Sequence, residues 1–364
     1  MGIPEGIDPS GSFHVAARLV RHYQQLSRPV DANRVVLACG NAAERFAAAT
    51  DHTRAYFWLD QVFKFYRING LDIEAERVQI DARLQGELSR SEAKPISAEV
   101  EVQPEDLENF VSTLTDGGLD SALETIASHF VPRLDTLRER LERLRKDFPM
   151  GTMWPIAKMA EGQMVGHIGP IDTDPEGAML NAVANEIRNG RFFLEKTLDR
   201  LRERYDVTSD QIVDFLFESV SFTPRFRGII HLGVEAYITG DHPKAISLLI
   251  PQIENGLRFL LPLVGRPPNK PKRGNQQGMA EKTLTDILEY EPAIKEKFGA
   301  DAHLYLVAFL ADPRGLNIRN RLCHGLMTEE DLNRWISDRV LHVMLLLGMC
   351  RRKREQPGEP ILEA

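Results

Sequence analysis

Apolar residues recur along this chain at spacings of three and four, and almost nowhere do they alternate with polar ones. That spacing is the period of an α-helix, in which residues one turn apart share a face, whereas a half-buried strand needs a period of two. The pattern predicts an all-α protein, an N-terminal helical domain followed by a C-terminal helical bundle. Helices are expected over about Phe13 to Leu26, Asp31 to Ala49 and Asp51 to Ile68. The third carries Tyr56, Phe57, Phe63, Phe65 and Tyr66, which at helical spacing read as core rather than as a cofactor box. A charged helix follows to about Arg90 and stops before Lys94-Pro95. Leu119 to Phe148 reads as one long helix. Its end, Leu137 to Arg145, interleaves Arg and Glu as a solvated or partner-facing surface.

The 364 residues suffice for two domains with separate cores. Phe148-Pro149-Met150-Gly151 is the expected boundary. It assigns residues 1–149 to the N-terminal domain, 150–208 to a Gly/Pro-rich connector with a long helix, and 209–364 to the C-terminal bundle. The stretch from Trp154-Pro155 to Asp174-Pro175 interrupts the helical rhythm and has room for a short hairpin. Its glycines, Gly162, Gly166 and Gly169, follow no strand pattern and make no dinucleotide fingerprint. Lys282-Thr283 lacks the preceding glycine of a Walker loop. Helices resume from Pro175 to Tyr205, and Thr208 is placed to cap the next one, which bears Phe215 and Phe217. Ile229 to Thr239, a Gly240-Asp241 turn and His242 to Leu261 form a helical hairpin. No second copy follows, so it does not start a solenoid. Helices are then expected over Glu281 to Glu289 and Pro292 to Leu310. Thr328 to Asp331 resembles a capping box opening a final helix, Leu332 to Arg352.

Lys and Arg number 45 against 53 Asp and Glu, a formal charge of -8. The far field of such a chain repels phosphate, so nucleic acid could be held only by a local basic site. One candidate is the loop Gly265 to Gly278, which has no apolar residue but its prolines and is too long for a mere connector. Lys270, Lys272 and Arg273 are its candidate phosphate contacts; the plainer reading is a solvated loop. Cys39, Cys323 and Cys350 have no CxxC spacing and read as free thiols in a reducing compartment. No Asp/Glu/His cluster has metal-ligand spacing, and neither a metal nor a cofactor is expected. The first residues lack the basic and apolar runs of a leader peptide. The most apolar stretch, Val340 to Met349, falls short of the roughly 20 residues that span a bilayer. A cytoplasmic protein away from the membrane is the expectation.

The segment that most suggests chemistry is Arg319-Asn320-Arg321-Leu322-Cys323-His324-Gly325. Asp312-Pro313-Arg314-Gly315 predicts a turn, and a short helix over about Asn317 to Cys323 would follow. Gly325 would supply its left-handed stop, with His324 in the last turn. Asn320 and His324 then share a face, and Arg319 stands roughly 140° from His324 around the axis. Leu322 and Leu326 would turn inward. Histidine can move a proton near neutral pH, and arginine grips phosphate and stabilises the extra charge of a pentavalent transition state. Asparagine can orient a ribose hydroxyl or a phosphate oxygen, and Arg321 is a further candidate substrate contact. The competing reading is structural, with Arg319 bridging a carboxylate and His324 capping helix carbonyls.

The RNxxxHG pattern resembles the signature of a family known only as domain of unknown function number 4209. That family is similar to the HEPN (higher eukaryotes and prokaryotes nucleotide-binding) superfamily. The segments Gly240-Asp241, Ala245 to Glu254, Leu257-Arg258 and Asn317 to Gly325 share in the resemblance, which runs from about Trp154 onward and leaves the first 150 residues unplaced. It implies a HEPN-like four-helix bundle, often dimeric, with two motifs facing one cleft. Members that are ribonucleases act without metal: the RNA 2′-hydroxyl attacks its own phosphate and leaves a cyclic phosphate. Arg319, Asn320 and His324 carry over directly, with Asn317 and Gly325 as supporting positions. Glu254 carries over as the acid that orients the arginine, although it can equally pair with Arg258 one turn on. The implied partners are RNA and a second copy of the chain, with the N-terminal domain left for an unidentified protein and a role in stress or phage defence. Some HEPN domains only bind RNA, nucleotides or proteins. The final helix, with Leu341, Leu345 and Met349 at helical spacing, is either the dimer interface or part of one bundle's core.

Overall fold

A computed structural model of the chain describes residues 9–93, 101–160, 162–272 and 277–351. It is mostly helical, with two small antiparallel hairpins, as the periodicity predicts. The described residues fall into two compact units, one drawn from 1–99 and 157–167, the other from 100–156 and 168–364.

The first unit contains α1 (Ser10–Gln25), α2 (Pro29–Ala48), α3 (His52–Ile68) and α4 (Asp72–Glu92), joined by most of a hairpin, β1 (Ile156–Ala160) and β2 (Gln163–Ile168). Asp51 caps α3 by accepting the Arg54 N–H at 3.0 Å. Val36, Val62, Tyr66 and Val78 are fully buried, while Phe57 of the aromatic face stays exposed. The Tyr66 hydroxyl donates to Glu44 at 3.0 Å, and Glu44 also pairs with Arg77. The distant hairpin is held by the Met164 N–H, which donates to the Tyr56 hydroxyl at 2.7 Å. It also approaches α4 backbone to backbone, for a Cβ at Gly86 would stand 2.1 Å from the Gly162 oxygen.

The second unit opens with α5 (Pro104–Thr115), α6 (Leu119–His129), α7 (Leu134–Asp147) and the single turn α8 (Pro149–Thr152). It continues with α9 (Pro175–Asn189), α10 (Arg191–Tyr205), α11 (Ser209–Phe217), α12 (Arg227–Thr239) and α13 (His242–Leu263). A hairpin, β3 (Asn269–Pro271) and β4 (Met279–Glu281), precedes α14 (Leu284–Tyr290) and α15 (Pro292–Leu306). α15 runs into a π-turn, Val307–Ala311, before α16 (Ile318–Cys323) and α17 (Arg334–Gly348). Thr208 and Gln211 form a full capping box at α11, and Gly240 ends α12 in the left-handed conformation.

Three expectations change here. The division does not fall at 149: Leu123, Ile126 and Leu137 share one buried cluster with Leu180, Leu198 and Leu345, so α5 to α7 belong to the second unit. The helix expected from Leu119 to Phe148 is two helices, because Pro132 lacks a backbone N–H and its ring crowds the preceding turn. The final helix begins at Arg334, capped by Asn333, and not at Leu332. The Asp331 carboxylate instead closes a turn on the Thr328 N–H at 3.1 Å.

α17 is the most deeply buried helix face of this unit. Leu341 and Leu345 lie in its core, and of the three residues expected at a dimer interface only Met349 is exposed. The same helix buries Asp338, Arg339 and His342. Asp338 accepts the Tyr237 hydroxyl at 2.7 Å and lies 3.6 Å from Arg334, and burial pushes its carboxyl up to about 6. His342 is hydrogen-bonded to the Tyr305 hydroxyl at 2.7 Å, and burial pushes its imidazole down to about 3.

Both shifts set a pH dependence, of opposite sign. The folded chain keeps the Asp338 proton that the unfolded chain, with an ordinary carboxyl, has already released. Its contribution is therefore fully favourable below pH 4 and is lost as pH rises to about 6. His342 costs stability in the other direction, as pH falls from about 6.5 toward 3. Asp338→Asn keeps an acceptor for Tyr237 and removes the first effect alone. Between pH 4 and pH 7 the unfolding free energy of the variant should improve on the parent's by about 2–3 kcal/mol. A difference that stays constant across that range in urea titrations would contradict the burial of an ionisable Asp338.

Candidate functional site

The path into α16 is set by backbone contacts. Val307 to Ala311 are all buried, and the Leu316 N–H returns to the Ala308 carbonyl at 2.7 Å. Gly315 lies against that carbonyl so closely that a Cβ there would stand 2.2 Å from its oxygen. Between them, the buried Asp312 carboxylate accepts the Arg314 N–H and its Nη2, both at 2.8 Å. The expected turn is present. Asn317 then takes a left-handed conformation, φ 53°, which asparagine tolerates better than most residues. α16 ends as the motif predicts. His324 is the C-cap and Gly325 has φ 68°. The Gly325 N–H bonds the Leu322 carbonyl at 3.0 Å, and the Leu326 N–H bonds that of Arg321 at 2.8 Å, a Schellman pair. Leu322 packs partly against the core, but Leu326 is exposed, contrary to expectation, because the chain has already turned away at Gly325.

One carboxylate organises the polar side of α16. Glu254, on α13, accepts Arg258 Nη2 at 2.8 Å through Oε1 and Arg319 Nε at 2.7 Å through Oε2. Both readings of Glu254 therefore hold at once. All three side chains are four-fifths or more buried, so these charge-assisted bonds are weakly screened. Arg319 also donates Nη1 to Asn320 Oδ1 at 3.0 Å. The Asn320 amide nitrogen donates to the Ala311 carbonyl at 3.1 Å and to Asn317 Oδ1 at 2.8 Å. Asn320 thus ties Arg319 to the π-turn and has its amide engaged on both ends. Among the described residues, Arg319 Nη2 has no acceptor, and the exposed His324 ring has no hydrogen-bond partner. The imidazole caps nothing; the helix end is closed by peptide groups.

The other sequence-derived candidates divide. Arg321 pairs with Asp331 at 3.0 Å, a partner that the sequence reading did not assign. Lys270 lies in β3 opposite Ala280 and is ion-paired with Asp286, so its charge is already answered. Lys272 is exposed and shows no side-chain partner among the described residues. Arg273 lies outside the described residues. The structure adds Arg258: beyond Glu254 it donates Nε and Nη2 to the Lys282 carbonyl at 3.2 and 3.0 Å. Lys282 itself is anchored by the Pro267 carbonyl at 2.7 Å. The base of the β3–β4 hairpin is thereby linked to the residue that shares Glu254 with Arg319. The four-residue spacing of Glu254 and Arg258 signals their pairing, but no local pattern signals the bond to Lys282. Among the described residues, no three His, Cys, Asp or Glu side chains are grouped so as to hold a metal ion.

The two glycines of this segment differ in kind, and that is testable. Gly325→Ala meets open space and bears only the left-handed backbone cost of about 1–2 kcal/mol. Gly315→Ala must push the Ala308 carbonyl away and should cost more than Gly325→Ala in chemical denaturation. The reverse order would contradict the packing of the turn on the π-helical segment. Compared with known families, with curated proteins and with solved structures, the chain matches none.

Proposed function

We propose that this chain is a metal-independent endoribonuclease of HEPN type, with Arg319 and His324 as its catalytic pair. The observation that carries the reading is the state of those two side chains. Glu254 and Asn320 hold the Arg319 guanidinium by Nε and Nη1, and among the described residues Nη2 has no acceptor and the imidazole at the end of the same short helix has no hydrogen-bond partner. A fixed guanidinium is suited to a phosphate oxygen, and an exposed imidazole can exchange a proton with bound RNA.

In the proposed reaction the 2′-hydroxyl oxygen bonds to the adjacent phosphorus and the P–O5′ bond breaks. The 2′ proton goes to a base, and the leaving 5′ oxygen receives one from an acid. Arg319 stabilises the added charge on the phosphorane oxygens. One chain offers one His324, so a symmetric pair of chains would supply both proton transfers; the homodimer remains part of the proposal. Arg258 and Arg319 share Glu254, and Glu281 stands 3.7 Å from Arg258, so the Arg319 guanidinium, rather than a net local charge, is what the site offers a phosphate in a chain of -8. Lys272 and Arg273 would extend the track, and Arg321, once released from Asp331, would join it. The first unit is proposed to meet a protein partner, and the work to be cytoplasmic, in stress response or phage defence. No described helix is long and apolar enough to cross a membrane. A second reading, RNA or nucleotide binding without cleavage, is favoured by Asn320, whose amide is engaged inside the protein and is not free to orient a ribose hydroxyl.

Cleavage of single-stranded RNA in EDTA should yield cyclic phosphate ends, and His324→Ala should lower the rate by about 10² to 10⁴-fold. Because its ring is exposed and makes no hydrogen bond among the described residues, the same variant should unfold at the parent's midpoint. His324→Ala cleaving at the parental rate would remove the imidazole from the mechanism; RNA bound but never cut by the parent would select the second reading. The hairpin makes a separate, internally controlled forecast. Lys272→Ala should flatten the salt dependence of RNA binding by about 0.7, whereas Lys270→Ala, whose ammonium already faces Asp286, should leave the slope unchanged. Equal effects of the two would contradict the division of labour between them.

A further inference from the structure

A cavity of about 420 Å³ lies in the second unit, apart from the α16 residues, walled by Phe110, Phe130 and Phe193 with His129 and the Arg339 side chain. The rings meet edge to face: Phe110 lies 5.2 Å from Phe193 and 5.3 Å from His129, centre to centre. Arg339 is 1% exposed, yet among the described residues no carboxylate lies within ion-pair distance of it. Its Nη2 donates to the Ile187 carbonyl at 3.0 Å and its Nη1 to the Phe130 carbonyl at 3.4 Å, at the ends of α9 and α6. Among the described residues its Nε has no acceptor. Gly190 makes room for the guanidinium, for a Cβ there would stand 2.9 Å from Nη2. The other charged groups on the wall are already matched, Glu186 by Arg140 at 2.9 Å and Arg133 by Asp301 at 3.3 Å.

A buried cation with an open donor is unfavourable unless something completes it. The two helix ends hold the guanidinium in place and offset part of its charge through their partial negative charges. They leave Nε without a hydrogen bond, and the cavity that Arg339 helps to wall falls within the range of small-molecule sites. We propose that this cavity binds a small anion with a flat ring, the ring among the phenylalanines and the anionic oxygens on Arg339. The chemistry is shared by free aromatic carboxylates and by nucleoside monophosphates, and it is independent of the reaction proposed for Arg319 and His324.

Calorimetric titration of the full-length protein tests this with two matched pairs, benzoate against benzyl alcohol and adenosine monophosphate against adenosine. At least one anion should bind saturably, and its neutral counterpart roughly tenfold to a hundredfold more weakly, as a charge-assisted bond requires. The pair that shows the preference identifies the source. Phe193→Ala should weaken the anion while leaving the far-ultraviolet circular dichroism intact. Arg339→Met, if folded, should erase the preference for charge; if it does not fold, the neutral pairs and Phe193→Ala decide. No saturable anion binding, equal affinity for an anion and its neutral partner, or binding untouched by Phe193→Ala would each overturn the assignment and leave Arg339 a purely structural link between α6 and α9.

Discussion

Glu254 is one carboxylate held between two guanidinium groups, and the arrangement of the candidate site follows from that sharing. Each arginine completes its contacts elsewhere: Arg258 on the Lys282 carbonyl and, at 3.7 Å, on Glu281, and Arg319 on Asn320. The first bond fixes the base of the β3–β4 hairpin and the second fixes α16 to the π-turn. A helix of six residues cannot persist through its own hydrogen bonds, since nucleation is costly and so short a ladder returns little. α16 is instead positioned by the Glu254 ion pair, the buried Ile318 and the Schellman closure at Gly325. Removing one partner of a buried pair typically costs about 3–5 kcal/mol, because an uncompensated charge stays behind. Losing Glu254 would leave Arg319 without a carboxylate among the described residues and Arg258 with Glu281 at 3.7 Å.

The features legible in the sequence are those written in local chemistry. The helical period, the Thr208 capping box, the Gly240 and Gly325 stops and the turn at Asp312 to Gly315 each need only neighbouring residues. What escaped depends on distant partners. The charged α7 and the Pro/Gly stretch after it look like a domain edge, but the apolar faces of α6 and α7 match the core of the second unit. Pro132 stands inside a strong periodic pattern that continues on both sides of it. Asp331 has two uses, a turn and an ion pair with Arg321, where the sequence suggested a helix start. For the candidate site, the motif located Arg319, Asn320 and His324, and the resemblance suggested Glu254. The engagement of Asn320 with Ala311 has no signature, because it rests on a π-turn that periodicity does not distinguish from an ordinary helix.

α17 shows a second consequence of shape over pattern. By hydropathy it reads as an apolar core helix, and it is one, yet Asp338, Arg339 and His342 are buried along it. Each has a different remedy: Asp338 takes the Tyr237 hydroxyl and is pushed toward its protonated form, His342 remains neutral beside Tyr305, and Arg339 reaches two helix ends. Arginine alone cannot shed its charge. Of the three, it is therefore Arg339 that keeps a full charge at the wall of the aromatic cavity. The helix thus fills the core of the unit that carries α16, and its first and last apolar turns are not available to a second chain.

The central claim is that Glu254 positions Arg319 as well as pairing with Arg258. A double-mutant cycle on the stability of the full chain tests this most directly, using Glu254→Ala, Arg319→Ala and both together, followed by urea unfolding at neutral pH. The clamp predicts a coupling energy of about 1.5–3 kcal/mol, the range of bonds to charged groups in partly buried settings. Additivity to within about 0.5 kcal/mol would mean that the two side chains do not interact in solution and that α16 is held by its apolar contacts alone.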